Sequence, residues 1–276
     1  MLLRSTLEQV THRIVVRRRL PPPFDAARVY ISSEGGLRLL GRGMTHADPT
    51  LLRFAAETVR RGDTIWDIGA NLGLFSFAAA VAAGRAGRVL AVEPDTVLAG
   101  LLRRSAAVNS GHAPVEVLPA AVSDEESIAR FHIAKRSRST SHLDGFGTSQ
   151  TGGVRTTELV PTLTLDWLAA HFPPPDVIKI DVEQAELAVL TGGSRVLGLA
   201  STIMCEVAAR NSTAVRDLLT MHGYVLYDGD RPSSERVPVR DARPNTLAIR
   251  ESGRPDARAI RSQAGQAASS PQVHLR

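Results

Sequence analysis

The chain has 276 residues, of which 43% are hydrophobic, so it carries enough apolar material for one large domain or two small ones, and disorder throughout is excluded. The formal net charge of +5 is concentrated at the two ends. Residues 1–20 sum to +4 and residues 250–276 to +3, which leaves −2 for residues 21–249. The central part of the chain therefore lacks the basic surface that nucleic-acid binding requires, which disfavours a nucleic-acid partner.

Cysteine content and hydropathy bear on the compartment. The single cysteine, Cys205, lies in an apolar stretch, so no intrachain disulfide can form and a buried thiol in a reducing compartment is expected. The first twenty residues lack the apolar segment of a secretory signal, and no run approaches the ~20 apolar residues that span a bilayer. We therefore expect a cytoplasmic protein without a transmembrane segment.

The N-terminal fifty residues are predicted to form two small extensions. Residues 1–23 form a basic arm whose first twenty residues are compatible with a short helix, which ends at three consecutive prolines. Residues 24–50 contain two apolar runs, 28–31 and 37–40, on either side of a Ser-Glu-Gly-Gly sequence. This pattern predicts a small hairpin that covers one side of the core.

Residues 51–250 are predicted to form the main domain. Asp48 or Thr50 can cap a first helix, and from residue 63 onward strands and helices alternate, which is typical of a parallel sheet with helices on both faces. The tail, 251–276, has no apolar period and is expected to be disordered. The expected strands are 64–68, 88–92, 115–120, 176–180, 202–206, 224–227 and 245–250, and the expected helices are 51–59, 73–83, 96–108, 184–197 and 213–222.

An insertion interrupts this alternation after the third strand. Two short strands, 129–133 and 158–160, flank a polar segment, 135–155, that is rich in Gly and Ser. A loop of this length inside a compact domain is usually a functional lid or disordered. His142 in this segment can act as a base near neutral pH or remain a solvated loop histidine.

A glycine turn joins the first strand of the main domain to the next helix. Gly69 and Gly73 give the spacing G-x-x-x-G, which differs from the dinucleotide fingerprint. Asp67, two residues before the first glycine, would repel a phosphate but can accept hydrogen bonds from an ammonium group. The turn therefore favours S-adenosylmethionine over NAD, and Asn71 can bond either this ligand or its own backbone.

Polar residues also close the second and third strands, where ligands of open α/β sheets bind. Glu93 follows the second strand and can accept both ribose hydroxyls of an adenosine. Ser123 and Asp124 follow the third strand, and they can meet the adenine amino group or cap the next element. We predict a cofactor site made of Asp67, Gly69, Asn71, Gly73, Glu93, Ser123 and Asp124.

Three carboxylates at the fourth and fifth strands are the candidate catalytic residues. Asp181 and Glu183 are two positions apart at a strand end, so both can point the same way. They can take a proton from an acceptor hydroxyl, hold its neighbours, bind a divalent cation that no ligand spacing specifies, or act as helix N-terminal acids. Glu206 closes the fifth strand and can face the same crevice or form a structural salt bridge. Asp181 is the first choice for the base.

Five sequence blocks in this order resemble the FkbM-type family of S-adenosylmethionine-dependent methyltransferases over roughly residues 50–250. The resemblance implies a Rossmann-like, doubly wound α/β sheet with a last antiparallel strand, and methyl transfer mostly to oxygen. Asp67, Gly69, Asn71 and Glu93 fall on the family's cofactor positions. Gln184 stands where the family usually has Gly, and the residues just after Glu206 lack the His that the family often has there. The blocks are GDTIWDIGANLG (62–73), VEPD (92–95), AAVSD (120–124), TLDWL (164–168) and KIDVE (179–183).

The sequence thus predicts an S-adenosylmethionine-dependent O-methyltransferase that acts on a hydroxyl of a sugar, a glycolipid or a secondary metabolite. One alternative is an N-methyltransferase for nucleic acid or protein, although its polar-Pro-Pro-aromatic signature is absent at the fourth strand. A nicotinamide-dependent dehydrogenase and a non-catalytic nucleoside-binding protein are further alternatives. The sequence specifies neither the acceptor nor the oligomeric state.

Overall fold

A computed structural model describes residues 15–32, 44, 48–135, 137–147 and 152–250. The predicted hairpin strand 37–40, most of the basic arm and the tail 251–276 lie outside these residues. In chain order the elements are β1 (Val15–Arg19), β2 (Arg28–Ser32), α1 (Pro49–Thr58), β3 (Thr64–Ile68), α2 (Leu74–Ala83), β4 (Arg88–Val92), α3 (Thr96–Ala107), β5 (Val115–Leu118), β6 (Ala121–Val122), β7 (Ser127–Ala134), β8 (His142–Leu143), β9 (Val154–Leu163), α4 (Leu165–His171), β10 (Val177–Ile180), α5 (Glu186–Thr191), α6 (Ser194–Leu197), β11 (Thr202–Glu206), α7 (Ser212–Met221), β12 (Tyr224–Asp228) and β13 (Asn245–Arg250).

Seven of the described strands form the central sheet, in the order β12-β13-β11-β10-β3-β4-β5. The five strands from β5 to β11 are parallel to their neighbours. The last strand of the chain, β13, inserts between β11 and β12 and is antiparallel to both. The predicted fold class, a Rossmann-like and mostly parallel sheet with a last antiparallel strand, is confirmed.

Helices cover both faces of the sheet because the side chains of its central strands are mostly apolar on both faces. Along β3, Ile65 packs into the core on the α2 and α3 face, while Trp66 and Ile68 pack on the face of α4 and α7. This division follows the pleat, in which successive side chains point to opposite faces. One polar side chain of β3, Asp67, is fully buried within this sheet and needs a partner there.

The insertion is more ordered than the sequence indicates. Residues 121–163, here called the insert, contain a second sheet in the order β6-β9-β7-β8. The expected strands 129–133 and 158–160 are parts of the longer β7 and β9, and the polar segment between them contains a 3-10 turn at Arg138–Thr140 followed by β8. Phe131 and Leu143 are buried beneath this sheet. The lid segment is therefore packed against the rest of the insert by a small apolar core.

The N-terminal region corrects one expectation. Val15–Arg19, placed in a short basic helix by the sequence, form a strand that pairs antiparallel with β2. The partner of β2 is thus this upstream segment. The other edge of β2 is satisfied by side chains of and just beyond α3, because Ser105 Oγ accepts from the N–H of Tyr30 at 2.8 Å and Asn109 Oδ1 accepts from that of Arg28 at 2.9 Å.

Two further observations concern the helices. The single helix expected over 184–197 is divided into α5 and α6 at Gly192 and Gly193, and Gln184, before α5, has a positive φ of 65°. The first helix, α1, begins after Asp48, whose carboxylate accepts from two backbone N–H groups as expected of a cap. Across the described ranges, no helix has both the length and the apolar character needed to cross a bilayer.

Candidate active site

A cavity of about 260 Å³ lies beyond the carboxyl ends of β3, β4, β10 and β11, and the insert forms its roof. This is the edge of an open α/β sheet where ligands bind. The predicted site residues divide into two groups. Those that line the cavity are Gly69, Asn71, Glu93, Asp181, Glu183 and Glu206, together with His142 of β8; those that do not are Asp67, Gly73, Ser123 and Asp124.

The glycine turn packs directly against the end of β10. Gly69 has a φ of +73°, and a Cβ at this position would lie 1.9 Å from the backbone oxygen of Asp181. The N–H groups of Gly69 and Ala70 both donate to the carbonyl of Val92 at 3.0 Å, which ties the turn to β4. The turn is therefore held between two strands, and glycine is required because any side chain would separate it from β10.

One side chain of the glycine turn, that of Asn71, has a polar atom available to a ligand in the cavity. Asn71 has a φ of +52°, and its Oδ1 is buried without a hydrogen-bond partner among the described residues. A buried acceptor of this kind is costly unless a bound molecule donates to it. Gly73 is different: it precedes α2 with a φ of +83°, and a Cβ there would lie 2.6 Å from Leu102 Cδ2, so its role is in packing.

Glu93 is held rigidly at the end of β4. Its Oε2 accepts from the backbone N–H of Asn71 at 2.7 Å, and its Oε1 accepts from that of Asp95 at 2.9 Å. Burial raises the pKa of Glu93 to about 7, although these two hydrogen bonds act in the opposite direction. Each carboxylate oxygen keeps a second lone pair, so Glu93 can accept two hydroxyl groups from a ligand in the cavity.

Asp67 lies inside the protein rather than on the cavity wall. Its Oδ2 accepts from Ser76 Oγ of α2 at 2.5 Å, and its Oδ1 is 3.2 Å from the ammonium of Lys179. The ammonium group that Asp67 binds in this structure is thus a side chain of β10. This arrangement explains how a carboxylate is accommodated in the middle of the sheet.

The side of the cavity next to β10 and β11 contains a pair of carboxyl groups with different charges. Asp181 Oδ2 is 3.2 Å from Lys179 Nζ, and the Asp181 carboxyl is hydrogen-bonded to that of Glu206. Asp181 opens to the cavity with 39% of its side chain exposed. Its partial burial would raise its pKa, but the charge of Lys179 and the bond to Glu206 outweigh this and lower the pKa. Asp181 is therefore ionised at neutral pH.

Glu206 carries the proton of this pair. Burial and the negative charge of Asp181 raise the pKa of Glu206 to about 8. Glu206 is therefore mainly protonated at neutral pH and donates to Asp181, while Asp181 keeps one oxygen near Lys179. Glu183 lines the same wall, and its pKa is raised by burial and by the charges of Asp181 and Glu186.

The remaining candidates contribute less directly. Ser123 Oγ donates to Asp124 Oδ1 at 3.0 Å, and neither residue reaches the cavity, whereas the preceding residues of β6 line it. His142 enters the cavity from the insert, with its ring 5.5 Å from that of His132. In the described part of the chain no group of three or more His, Cys, Asp and Glu side chains is arranged to hold a metal ion.

Two residues of the site were not identified from the sequence. Lys179 is a charged residue in the apolar strand β10, which is a local signal for a buried polar contact. Arg138 lines the cavity from the insert, and its Nη1 is 2.6 Å from Oδ2 of Asp95, which also caps α3. Nothing local marks Arg138, since its partner lies 43 residues away.

The strand order, the glycine turn and the carboxylate at the end of β4 together define the class of S-adenosylmethionine-dependent methyltransferases. A family model described as Methyltransferase FkbM domain matches residues 67–226, more than half of the chain. The chain belongs to this family, as the sequence blocks predicted.

The individual proteins that resemble this chain share little sequence identity with it. The chain is 27% identical over 164 residues to the hexuronic acid methyltransferase AglP of Haloferax volcanii, and the match covers 58% of this chain and 62% of that protein, less than two thirds of its length. Similar solved structures include a precorrin-6Y C5,15-methyltransferase from Geobacter metallireducens GS-15, at 14% identity, a TM-score of 0.42 and coverage of 73% of this chain and 86% of that one. An S-adenosylmethionine-dependent O-methyltransferase from Thermotoga maritima matches at 14% identity and a TM-score of 0.40, covering 75% and 67%.

Proposed function

We propose that this protein transfers the methyl group of S-adenosylmethionine to a hydroxyl group of a sugar or of another polyhydroxylated small molecule. The observation that supports the proposal is that Asp181 and Glu206 line the same cavity as Glu93, since a carboxylate suited to accept a proton and a carboxylate suited to bind a ribose then face one space. The name of the Haloferax relative, which refers to a hexuronic acid, supports a sugar as acceptor.

The residues present fit the cofactor. Glu93 offers two acceptor sites suited to the ribose hydroxyls, and the buried Oδ1 of Asn71 lacks a donor that the amino group of a methionine moiety can supply. Gly69 lets the glycine turn pack directly against β10, so that the backbone of the turn leaves space for a ligand in the cavity. When bound, S-adenosylmethionine supplies a methyl group that is already activated by its attachment to a sulfonium.

The chain's own residues then orient the acceptor and take up its proton. The ionised Asp181 would accept a hydrogen bond from the acceptor hydroxyl and take up its proton as the hydroxyl oxygen replaces the sulfur on the methyl carbon, so that S-adenosylhomocysteine leaves. The neutral Glu206 holds Asp181 in orientation, and Glu183 can accept from a neighbouring hydroxyl. General-base catalysis of this kind contributes roughly 10²- to 10⁴-fold, and alignment of the two reactants contributes several kcal/mol in addition.

The test separates cofactor binding from transfer. Binding of S-adenosylmethionine and S-adenosylhomocysteine is measured by calorimetry, and transfer of a labelled methyl group is measured with a panel of neutral, amino and uronic sugars. Asp181→Asn should keep cofactor affinity within about threefold and lower transfer at least about 100-fold.

Asp217→Asn, the same change at an exposed position of α7, is the control and should leave both unchanged. Full transfer by Asp181→Asn would remove the proposed base. A wild-type protein that binds neither adenosyl ligand would contradict the proposed function as a whole.

A further inference from the structure

Lys179 has three partners and no access to the cavity. Its Nζ donates to the carbonyl oxygen of Gly69 at 2.7 Å and lies 3.2 Å from both Asp67 Oδ1 and Asp181 Oδ2. The side chain is 3% exposed and does not line the cavity. Lys179 can therefore act on a ligand only through the groups that it contacts.

The topology of the sheet explains this position. β10 and β3 are parallel neighbours, and their register places Lys179 directly beside Asp67. Ser76 of α2 holds the other oxygen of Asp67 at 2.5 Å, while Glu206 of β11 bonds to the carboxyl of Asp181. A continuous polar chain thus runs from α2 through the sheet to the acceptor side of the cavity.

We propose that Lys179 is a positioning residue. Its single ammonium group joins the glycine turn at Gly69 to the carboxylate of Asp181 and keeps Asp181 ionised. This proposal rests on the proposed function, since it assumes that Asp181 is the base. A buried ammonium has three N–H donors that each need an acceptor, and Asp67 supplies one of these acceptors. The additional bonds to Gly69 and Asp181 each lead to a residue that lines the cavity.

The electrostatics of the cluster agree with this role. The two carboxylates raise the pKa of Lys179 well above its ordinary value, even though burial alone would lower it. Lys179 therefore stays charged throughout the pH range of interest and is the nearest positive charge to Asp181. The other titratable groups that face the cluster are Asp67 from β3, Glu93 after β4, Glu183 and Glu186 before and within α5, and Cys205 and Glu206 from β11.

The experiment uses variants of the full-length protein. Lys179→Met leaves Asp67 buried without its cation, so the double variant D67N/K179M, which removes both charges, is made to preserve the fold. Lys179→Arg tests for partial rescue. Lys135→Met, the same change at an exposed lysine, is the matched control.

Two readouts do not depend on the acceptor: calorimetric affinity for S-adenosylhomocysteine, and the carboxyl carbon NMR titration of Asp181. In D67N/K179M we expect the titration of Asp181 to move upward by one pH unit or more, a tenfold or greater change in proton affinity, because the nearest positive charge is gone. We also expect about a tenfold loss of affinity for S-adenosylhomocysteine, because the Gly69 carbonyl is released. Lys179→Arg should recover part of both, and Lys135→Met should change neither.

Methyl transfer provides the third readout. The acid limb of its pH profile should move upward in parallel with the titration of Asp181. A folded D67N/K179M in which the titration and the cofactor affinity match wild type would overturn the proposal and assign Lys179 a purely structural role. If the wild type binds S-adenosylhomocysteine but transfers no methyl group to any sugar, the proposed function fails, while the two acceptor-independent readouts still decide the role of Lys179.

Discussion

The substitution Glu93→Gln tests the cofactor site most directly. Both oxygens of Glu93 accept backbone N–H groups, from Asn71 at 2.7 Å and from Asp95 at 2.9 Å. The glutamine has almost the same shape, but its amide nitrogen cannot accept a hydrogen bond. One of the two N–H groups therefore loses its acceptor, which should lower the free energy of unfolding by about 1–3 kcal/mol.

Glu93→Gln should lower the cofactor affinity by more than the loss of this one backbone hydrogen bond would. Hydrogen bonds to charged groups contribute about 1.5–3 kcal/mol, and the variant removes the charge and at least one acceptor site for the ribose. A loss of about 2–3 kcal/mol corresponds to a roughly 30- to 150-fold rise in Kd.

The assay is calorimetric titration with S-adenosylhomocysteine, and thermal unfolding is measured separately to identify the folded fraction. Glu116→Gln, on the neighbouring strand β5 and exposed, is the matched control and should bind as wild type does. A folded Glu93→Gln protein with a Kd within threefold of the wild-type value would refute the assignment of Glu93 to the ribose.

Three further predictions follow from the site. Burial raises the pKa of Glu93 to about 7, and the ribose hydroxyls bond to the ionised form of this carboxyl group. The Kd for S-adenosylhomocysteine should therefore rise up to about tenfold for each pH unit below 7 and be constant above it. In the same titration, Glu93→Gln should remove this pH dependence. Gly69→Ala should destabilise the protein by about 3 kcal/mol or more in denaturant unfolding, because the φ of Gly69 is +73° and the new Cβ would lie 1.9 Å from the backbone oxygen of Asp181. Gly100→Ala, at an open helical position, is the control and should be neutral or stabilising by about 0.5–1 kcal/mol. Equal stabilities of the two variants would contradict the packing of the glycine turn against β10. Arg138→Met breaks the bond between the insert and Asp95 and should speed dissociation of S-adenosylhomocysteine about tenfold in stopped-flow measurements. Arg130→Met, at an exposed position of the insert, should leave the rate unchanged, and equal rates in both variants would exclude a role of Arg138 in retaining the cofactor.

The sequence by itself determined the family and most of the strand and helix order of the main domain, although α4 and the division of the helix expected over 184–197 were not predicted. Short apolar strands bounded by glycines, and carboxylates such as Glu93 and Asp181 placed where those strands stop, are local patterns, and the geometry of an open α/β sheet brings all parallel strand ends to one edge. For this reason the amino-acid sequence alone is enough to assign Glu93, Asp181, Glu183 and Glu206, which are up to 113 residues apart, to one crevice.

Other features required the tertiary structure. The neighbour that a strand side chain contacts depends on the strand order. The pairing of Lys179 with Asp67, 112 residues earlier, therefore has no local signature in the sequence. Because of this pairing, Asp67 lies inside the sheet and does not line the cavity. Polar composition suggested an irregular lid, but a few apolar residues such as Phe131 and Leu143 bury enough surface together to order a second sheet. Local patterns thus identified the four carboxylates that line the cavity, and only the three-dimensional arrangement decided which charges neutralise one another and which remain available to a ligand.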